Sequence, residues 1–296
     1  LADLGEHNAQ HVLNSAWSVD AGARTPYNKA NSLYETLVNG HPEIRDIQQV
    51  SSVMQLLTGM ELGEDYEKVE SARLLNNGEY SLNSALGYIS LKTALNQDEV
   101  LAVAYEYTYA GQVYQVGEFS TDGSETLKAP NALMLKLLKS TNNAPDQKGK
   151  GTWDLMMKNV YSLGASQMSG DKFELYIQYR NDSVGTEMQY LMEGDIKGKQ
   201  LPRVMNLDRL DSRNNNSPDG RFDYVEGYTA LSSSGRIIFP VLEPFGSHLA
   251  RVIGDEKIAE KYIFQELYDS TLVNAQELSE KNKFVLTGKY KGSAGN

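Results

Sequence analysis

The most specific local pattern of ligand-bearing side chains is the run Asn215-Asn216-Ser217-Pro218-Asp219-Gly220-Arg221-Phe222-Asp223-Tyr224-Val225-Glu226. Counted from Asn215, oxygen ligands fall at positions one (Asn215), three (Ser217), five (Asp219), nine (Asp223) and twelve (Glu226), with glycine at six and an apolar residue at eight. That is the register by which an EF-hand loop surrounds calcium, a hard cation that takes oxygen ligands. The same residues support a second reading. Asn, Asp, Pro and Gly are turn formers, and Pro218-Asp219-Gly220 bends the chain between Leu210 and an extended run at 222–228. Asn215 in place of Asp, the stiff Pro218 and flanks without two amphipathic helices weigh towards the turn. Asp208 and Asp211 complete a non-helical calcium site in the first reading and cap the turn in the second. Calcium is the sole cofactor to which the residues point.

Other constellations are thinner. His7 and His11 share a four-residue spacing that would put both on one side of a helix, but their Asn, Gln and Ala neighbours add no third zinc ligand, so the pair reads as surface. His41 and His248 are remote from them. Glu106 and Glu118 lie across an expected hairpin and could be cast as the two carboxylates of a glycoside hydrolase. The chain's only tryptophans, Trp17 and Trp153, do not flank them, and solvent-facing strand positions are the plainer expectation. The absence of cysteine removes disulfides, thiolate nucleophiles and cysteine metal sites. No phosphate-cradling loop, dinucleotide fingerprint or nucleophile elbow is present, and no enzyme is expected.

The elements that must position these residues can be read from periodicity. Thr25-Pro26 opens a helix through Leu37, and Ile44, Ile47, Val50, Val53, Met54 and Leu57 give a helix from Glu43 to Gly59. Alternation over Val100–Ala110 predicts a strand, Gly111 a turn, and Val113, Val116 and Phe119 its partner, with an aliphatic and tyrosine face towards a core. The run from Tyr80 to Leu91 is expected to pair with them. A polar loop over 140–152 precedes a helix over 155–163, and Phe173–Tyr179 alternate as a strand. A helix from Asp255 to Leu267, a turn-helix over 272–278 and an extended run over 284–290 close the chain, which reads as continuing into further sheet. The class is α+β, mostly antiparallel or mixed sheet with hairpins and a few packed helices. The expected organisation is a helical and irregular region over 1–66 and an α+β domain over 67–296, with the 140–152 loop as a further division.

The bulk properties agree with a folded protein. Hydrophobic residues make up 40% and charged residues 23%, and 18 Tyr against 7 Phe suit half-buried sheet faces with wet hydroxyls. A net charge of -11 argues against a nucleic-acid partner, which would need basic residues to displace counterions. The chain opens on Leu1 without a signal peptide and reads as an excised fragment, and no run is long enough for a membrane helix.

Longer blocks carry a resemblance. Arg203-Val-Met-Asn-Leu-Asp-Arg-Leu-Asp-Ser, then Pro218-Asp-Gly-Arg-Phe-Asp-Tyr-Val-Glu-Gly-Tyr, then Gly235-Arg-Ile-Ile-Phe-Pro-Val-Leu-Glu-Pro-Phe-Gly-Ser-His-Leu are the most distinctive. Leu86-Gly-Tyr-Ile-Ser-Leu, Tyr114-Gln-Val-Gly-Glu-Phe-Ser-Thr-Asp, Trp153-Asp-Leu-Met-Met-Lys-Asn-Val-Tyr and Tyr262-Ile-Phe-Gln-Glu-Leu-Tyr-Asp-Ser-Thr accompany them. Together, over most of residues 70–290, they resemble the SprA/Sov family, the outer-membrane translocons of type IX secretion that are linked to gliding motility. The resemblance implies a soluble insertion in a very large transmembrane barrel through which folded cargo leaves the periplasm. It places the parent in the cell outer membrane and this part in the periplasm or at the cell surface. It implies a PorV-like outer-membrane protein and secreted cargo as partners, and no catalytic residues. Against it stand a glycan-binding or calcium-stabilised adhesion module.

Overall fold

The computed structural model describes residues 1–7, 25–57, 59–121, 131–145, 152–182, 185–278 and 280–292. The chain is α+β, as expected. Its described strands form five small antiparallel sheets, none closed into a barrel, and no described helix is long and apolar enough to cross a membrane. Two compact units divide the chain: Leu1–Ser81 with Ile89–Met156, and Leu82–Tyr88 with Met157–Asn296. Residues 1–66 therefore share a unit with 89–156, and the division falls after Met156, beyond the 140–152 loop. The loop's described ends are tied together, with the Ser140 amide donating to Thr152 Oγ1 at 3.2 Å; 146–151 lie outside the described residues.

In the first unit, Leu4, Leu33, Leu37, Ile44, Val53, Met54, Val116 and Met134 form one buried cluster. Helix α1 (Leu33–Glu35) continues as a π turn over Thr36–Gly40, so the helix expected from Thr25 forms only in its last part. Its start is fixed by Asn31, whose Oδ1 accepts the Leu33 amide at 2.8 Å. The helix expected from Glu43 is split into a 3-10 turn, Pro42–Arg45, and α2 (Val50–Leu56). Asp46 is extended, and its carboxylate takes the Gln48 amide at 2.9 Å, offering the backbone a local partner that competes with the helix.

The strand expected over 100–110 is two: β3 (Leu101–Val103) pairs with β6 (Lys136–Lys139), and β4 (Tyr105–Tyr109) pairs with β5 (Gln112–Val116). Ala110 and Gly111 both take positive φ in the two-residue turn, the twist that suits a tight hairpin. Only the base of this hairpin enters the core. Val116 is buried, whereas Tyr109 and Val113 are each 61% exposed. The 80–91 run does not join it: β1 (Tyr80–Asn83) and β2 (Tyr88–Leu91) pair only with each other.

In the second unit, β8 (Met168–Asn181) is the spine, flanked by β12 (Phe284–Gly292) and β9 (Thr186–Met188). Its alternation turns Leu175, Ile177 and Tyr179 into the core, opposite Gly288, Leu286 and Phe284. A second sheet orders β10 (Ala230–Leu231), β11 (Arg236–Ile238) and β7 (Val160–Ser162). The helix expected over 155–163 is absent because Val160 and Tyr161 instead pair with Ile238 and Ile237, and Asn159 Nδ2 donates to the Phe239 carbonyl at 2.7 Å. Gly235 closes the β10–β11 turn at φ 62°, where an added Cβ would lie 1.7 Å from the Ala165 carbonyl oxygen. No other residue fits there.

Helices α3 (Leu201–Val204), α4 (Ser247–Ile253), α5 (Glu256–Tyr262), α6 (Glu266–Asp269) and α7 (Leu272–Glu277) pack around these sheets. The expected 255–267 helix ends at Tyr262 and restarts as α6. Asp255 caps α5 by accepting the Ile258 amide at 3.0 Å, a contact of about 1 kcal/mol. Phe245 is the hub of the aromatic core, 4.6 Å from Phe284, 5.6 Å from Phe239 and 5.7 Å from Tyr161 between ring centroids. Such pairs add about 0.5–1.5 kcal/mol each beyond burial. The buried Tyr268 hydroxyl meets Tyr161 at 2.9 Å and accepts the Phe245 amide at 3.0 Å.

Candidate functional site

Among the described residues of the 208–226 segment, no three Asp or Glu side chains bring their ligand atoms within 4.8 Å of one another. Asp223 accepts the backbone amides of Arg209 at 2.6 Å and Leu210 at 3.2 Å, while Asp208 accepts those of Asp219 at 3.0 Å and Gly220 at 3.2 Å. Each carboxylate thus reaches across the bend and holds the other limb's backbone. Asp219 accepts the Arg221 amide at 3.0 Å, and Glu226 turns away to Ser232, taking its amide at 3.1 Å and hydroxyl at 3.0 Å. The Asn215 amide and side chain both donate to Asp211 at 2.9 Å, and the Ser217 amide bonds the Asn215 carbonyl. Of the five residues read as calcium ligands, Asn215, Ser217, Asp219, Asp223 and Glu226, the three acids accept backbone amides within the turn and at Ser232. Burial, with the charges of Asp208 and Asp219 beside it, raises the Asp223 carboxyl above its ordinary value despite its amide partners.

The remaining candidates also separate. Glu106 is exposed opposite Gln115, while Glu118 is only 2% exposed. The expectation that both face solvent is thus corrected at Glu118, whose carboxylate receives Arg45 through two 2.7 Å bonds, the Tyr34 hydroxyl at 2.8 Å and the Met134 amide at 2.8 Å. The Glu118 hydrogen bonds raise the Arg45 value. Burial, with Glu118 as acceptor, raises the Tyr34 hydroxyl well above its ordinary value. His41 lies 3.3 Å from exposed Glu43. His248 packs in the second unit with Nε2 on the Val204 carbonyl and Nδ1 accepting from Arg251, both at 2.9 Å. Burial, aided by the Arg251 charge, keeps His248 below the ordinary imidazole value. His11 and Trp17, and with them the His7–His11 pairing, lie outside the described residues.

His7 belongs to a different cluster, which the sequence reading missed. Among the described residues, one group of three acidic or histidine side chains brings its ligand atoms within 4.8 Å of one another: Asp3, Glu6 and His7. His7 Nδ1 is 3.3 Å from Asp3 Oδ1 and 3.6 Å from Glu6 Oε1. The cation for these two buried carboxylates is Lys136, whose Nζ lies 2.6 Å from Glu6 Oε1 and also donates to the Ala2 carbonyl. The Leu4 amide donates to Glu6 Oε2 at 2.5 Å, the Gly5 amide to Asp3 Oδ1 at 3.0 Å, and Asn31 Nδ2 to Asp3 Oδ2 at 2.9 Å. Burial pushes the Asp3 carboxyl up, but the neighbouring His7 imidazole, the Gly5 amide and the Lys136 charge outweigh it and hold the group below its ordinary value. The i, i+3, i+4 spacing of Asp3, Glu6 and His7 was visible; Lys136, far along the chain, was not.

One hollow is a groove of about 340 Å³ in the first unit, lined by Tyr27, Asn28, Tyr34, Val113, Tyr114 and Glu118 among others. Tyr114 stacks on Tyr107 at 5.4 Å and meets Tyr27 edge-on at 5.7 Å. Asn28 spends its side chain on Gly117, accepting its amide at 2.8 Å and donating to its carbonyl at 3.1 Å. The groove sets three tyrosines beside Lys29, Gln115 and Glu118. The second hollow, about 230 Å³ beside Phe245, Phe264 and Phe284, has no charged group in its lining. Comparisons of this chain with known protein-family models and with curated proteins find no match.

Proposed function

We propose that this chain is a non-catalytic domain of an outer-membrane protein translocon, the reading that its resemblance to the SprA/Sov family implies. The observation that carries it is the fate of the most distinctive block, Arg203–Leu249. Its apolar positions Met205, Leu207, Phe222, Ile237, Phe239, Phe245 and Leu249 are all core, and the acids Asp208 and Asp223 are spent on backbone amides. A block in which these apolar side chains and two acids hold shape suits a wall or cover of a conduit, where work is done by a rigid surface rather than by a reacting group. In this reading its partners are a PorV-like outer-membrane protein and passing cargo. The test is a strain whose parent protein lacks this segment: type IX cargo export and surface gliding are both expected to fail. Normal export would overturn the proposal.

A second reading, a glycan-binding module, has one observation in its favour, the tyrosine-lined groove beside Tyr27 and Tyr114. Aromatic faces can stack on sugar rings. A glycan array with the chain and its Tyr114→Ala variant separates the two readings, because specific binding lost in the variant favours the module.

A further inference from the structure

The buried cluster around Glu6 has the parts of an acyl-transfer site. Lys136 Nζ, on a side chain 7% exposed, lies 2.6 Å from Glu6 Oε1, on a side chain 4% exposed, and the pair is 130 residues apart in sequence (136 − 6). Although the ammonium is at ion-pair distance, Glu6 Oε1 makes no well-aligned hydrogen bond. The other oxygen, Oε2, is held by the Leu4 amide at 2.5 Å. His7 Nδ1 stands between Glu6 Oε1 and Asp3 Oδ1, also without an aligned partner. Nucleophile, carbonyl-side donor and proton carrier therefore surround one carboxyl group away from water.

We propose that Lys136 and Glu6 condense spontaneously into an isopeptide bond. A proton passes from the ammonium to the carboxylate across their 2.6 Å contact. The free amine then attacks Glu6 Cδ and forms the Nζ–Cδ bond. The Leu4 amide stabilises the oxyanion that develops on Oε2, as an oxyanion-hole donor does. The Cδ–Oε1 bond breaks, and Oε1 leaves as water with protons that originate on the lysine. His7, within reach of both Oε1 and Asp3, carries a proton to the departing oxygen. Ammonium and carboxylate become one amide and one water, so no oxidant or other co-reactant is needed. The product keeps one N–H, and the Ala2 carbonyl that already receives Lys136 is placed to accept it.

Mass spectrometry of the purified 296-residue chain tests this without relying on any variant folding. The intact mass is expected to fall short of the sequence mass by one water. Tryptic digestion is expected to leave the bond after Lys136 uncut and to yield a branched peptide joining the Glu6 and Lys136 segments. Lys136→Met is expected to restore the full mass, and His7→Ala to slow the appearance of the branched species in a time course. A native chain of full mass cut normally after Lys136, or a water loss mapping to any other residue pair, overturns the proposal.

Discussion

Replacing Glu118 by alanine is expected to destabilise the first unit by about 4 kcal/mol. The carboxylate is 2% exposed and the Arg45 side chain 13%, so little water can reach a guanidinium left behind. Removing one partner of a buried ion pair costs about 3–5 kcal/mol, because the survivor's desolvation is no longer offset. The Met134 amide and Tyr34 hydroxyl lose their acceptor in the same change, and an orphaned buried donor costs about 1–3 kcal/mol. These losses overlap, since all concern one carboxylate, and they do not add. Trp153 is buried in the first unit, so its fluorescence, read in a Trp17→Phe background, follows that unit during urea denaturation. With a slope near ~2 kcal/mol per molar urea, the midpoint should drop by about 2 M. The double variant Arg45→Met/Glu118→Leu should lose less than Glu118→Ala, because apolar groups of similar size leave no unpaired charge. A Glu118→Ala loss below ~1 kcal/mol would refute the reasoning, as would a double variant as unstable as the sum of its singles.

Three other outcomes follow from the described contacts. Asp208→Ala frees the Asp219 and Gly220 amides and is expected to cost about 1–3 kcal/mol in denaturant titrations, while calcium should leave the native melting temperature unchanged in calorimetry; a rise with calcium would restore the ion-loop reading. Glu79, clamped first by Arg73 and then by the Asn76 amide, is lowered from 4.5 to about 2. Because its folded value is depressed, its contribution is fully present above its ordinary value and is lost as pH falls from 4.5 towards about 2. Carboxyl chemical shifts followed by NMR should show Glu79 titrating below the exposed glutamates, and a midpoint near the ordinary value would contradict the clamp.

The sequence disclosed the element types better than their partners. Strict alternation marked β8 and the β4–β5 hairpin because period two survives whatever the strand packs on. It could not show that the hairpin's tyrosines stay half outside the core, since Tyr109 and Val113 alternate as an inward face would. Helices were misjudged where a side chain competes for the backbone, as at Asp46, or where a remote strand captures the segment, as Ile237 and Ile238 capture Tyr161 and Val160. The 208–226 run was legible as both ion loop and turn. Spacing alone cannot say whether a carboxylate points at a neighbouring amide or at a shared centre, and the described bonds place it on amides. The Asp3, Glu6, His7 and Lys136 cluster was hidden because burial of a lysine depends on a contact across 130 residues (136 − 6).

The reciprocal brace of Asp208 and Asp223 also has a consequence for the order of folding. Its bonds join residues 11 to 14 positions apart, whereas the β8–β12 ladder pairs Gln178 with Val285, 107 positions apart (285 − 178). Closing the shorter loops costs less chain entropy, and local contacts form before distant ones. The brace can therefore close while the terminal strand is still free. It would present Leu207 and Phe222 side by side as an early surface on which β8, and last of all β12, condense.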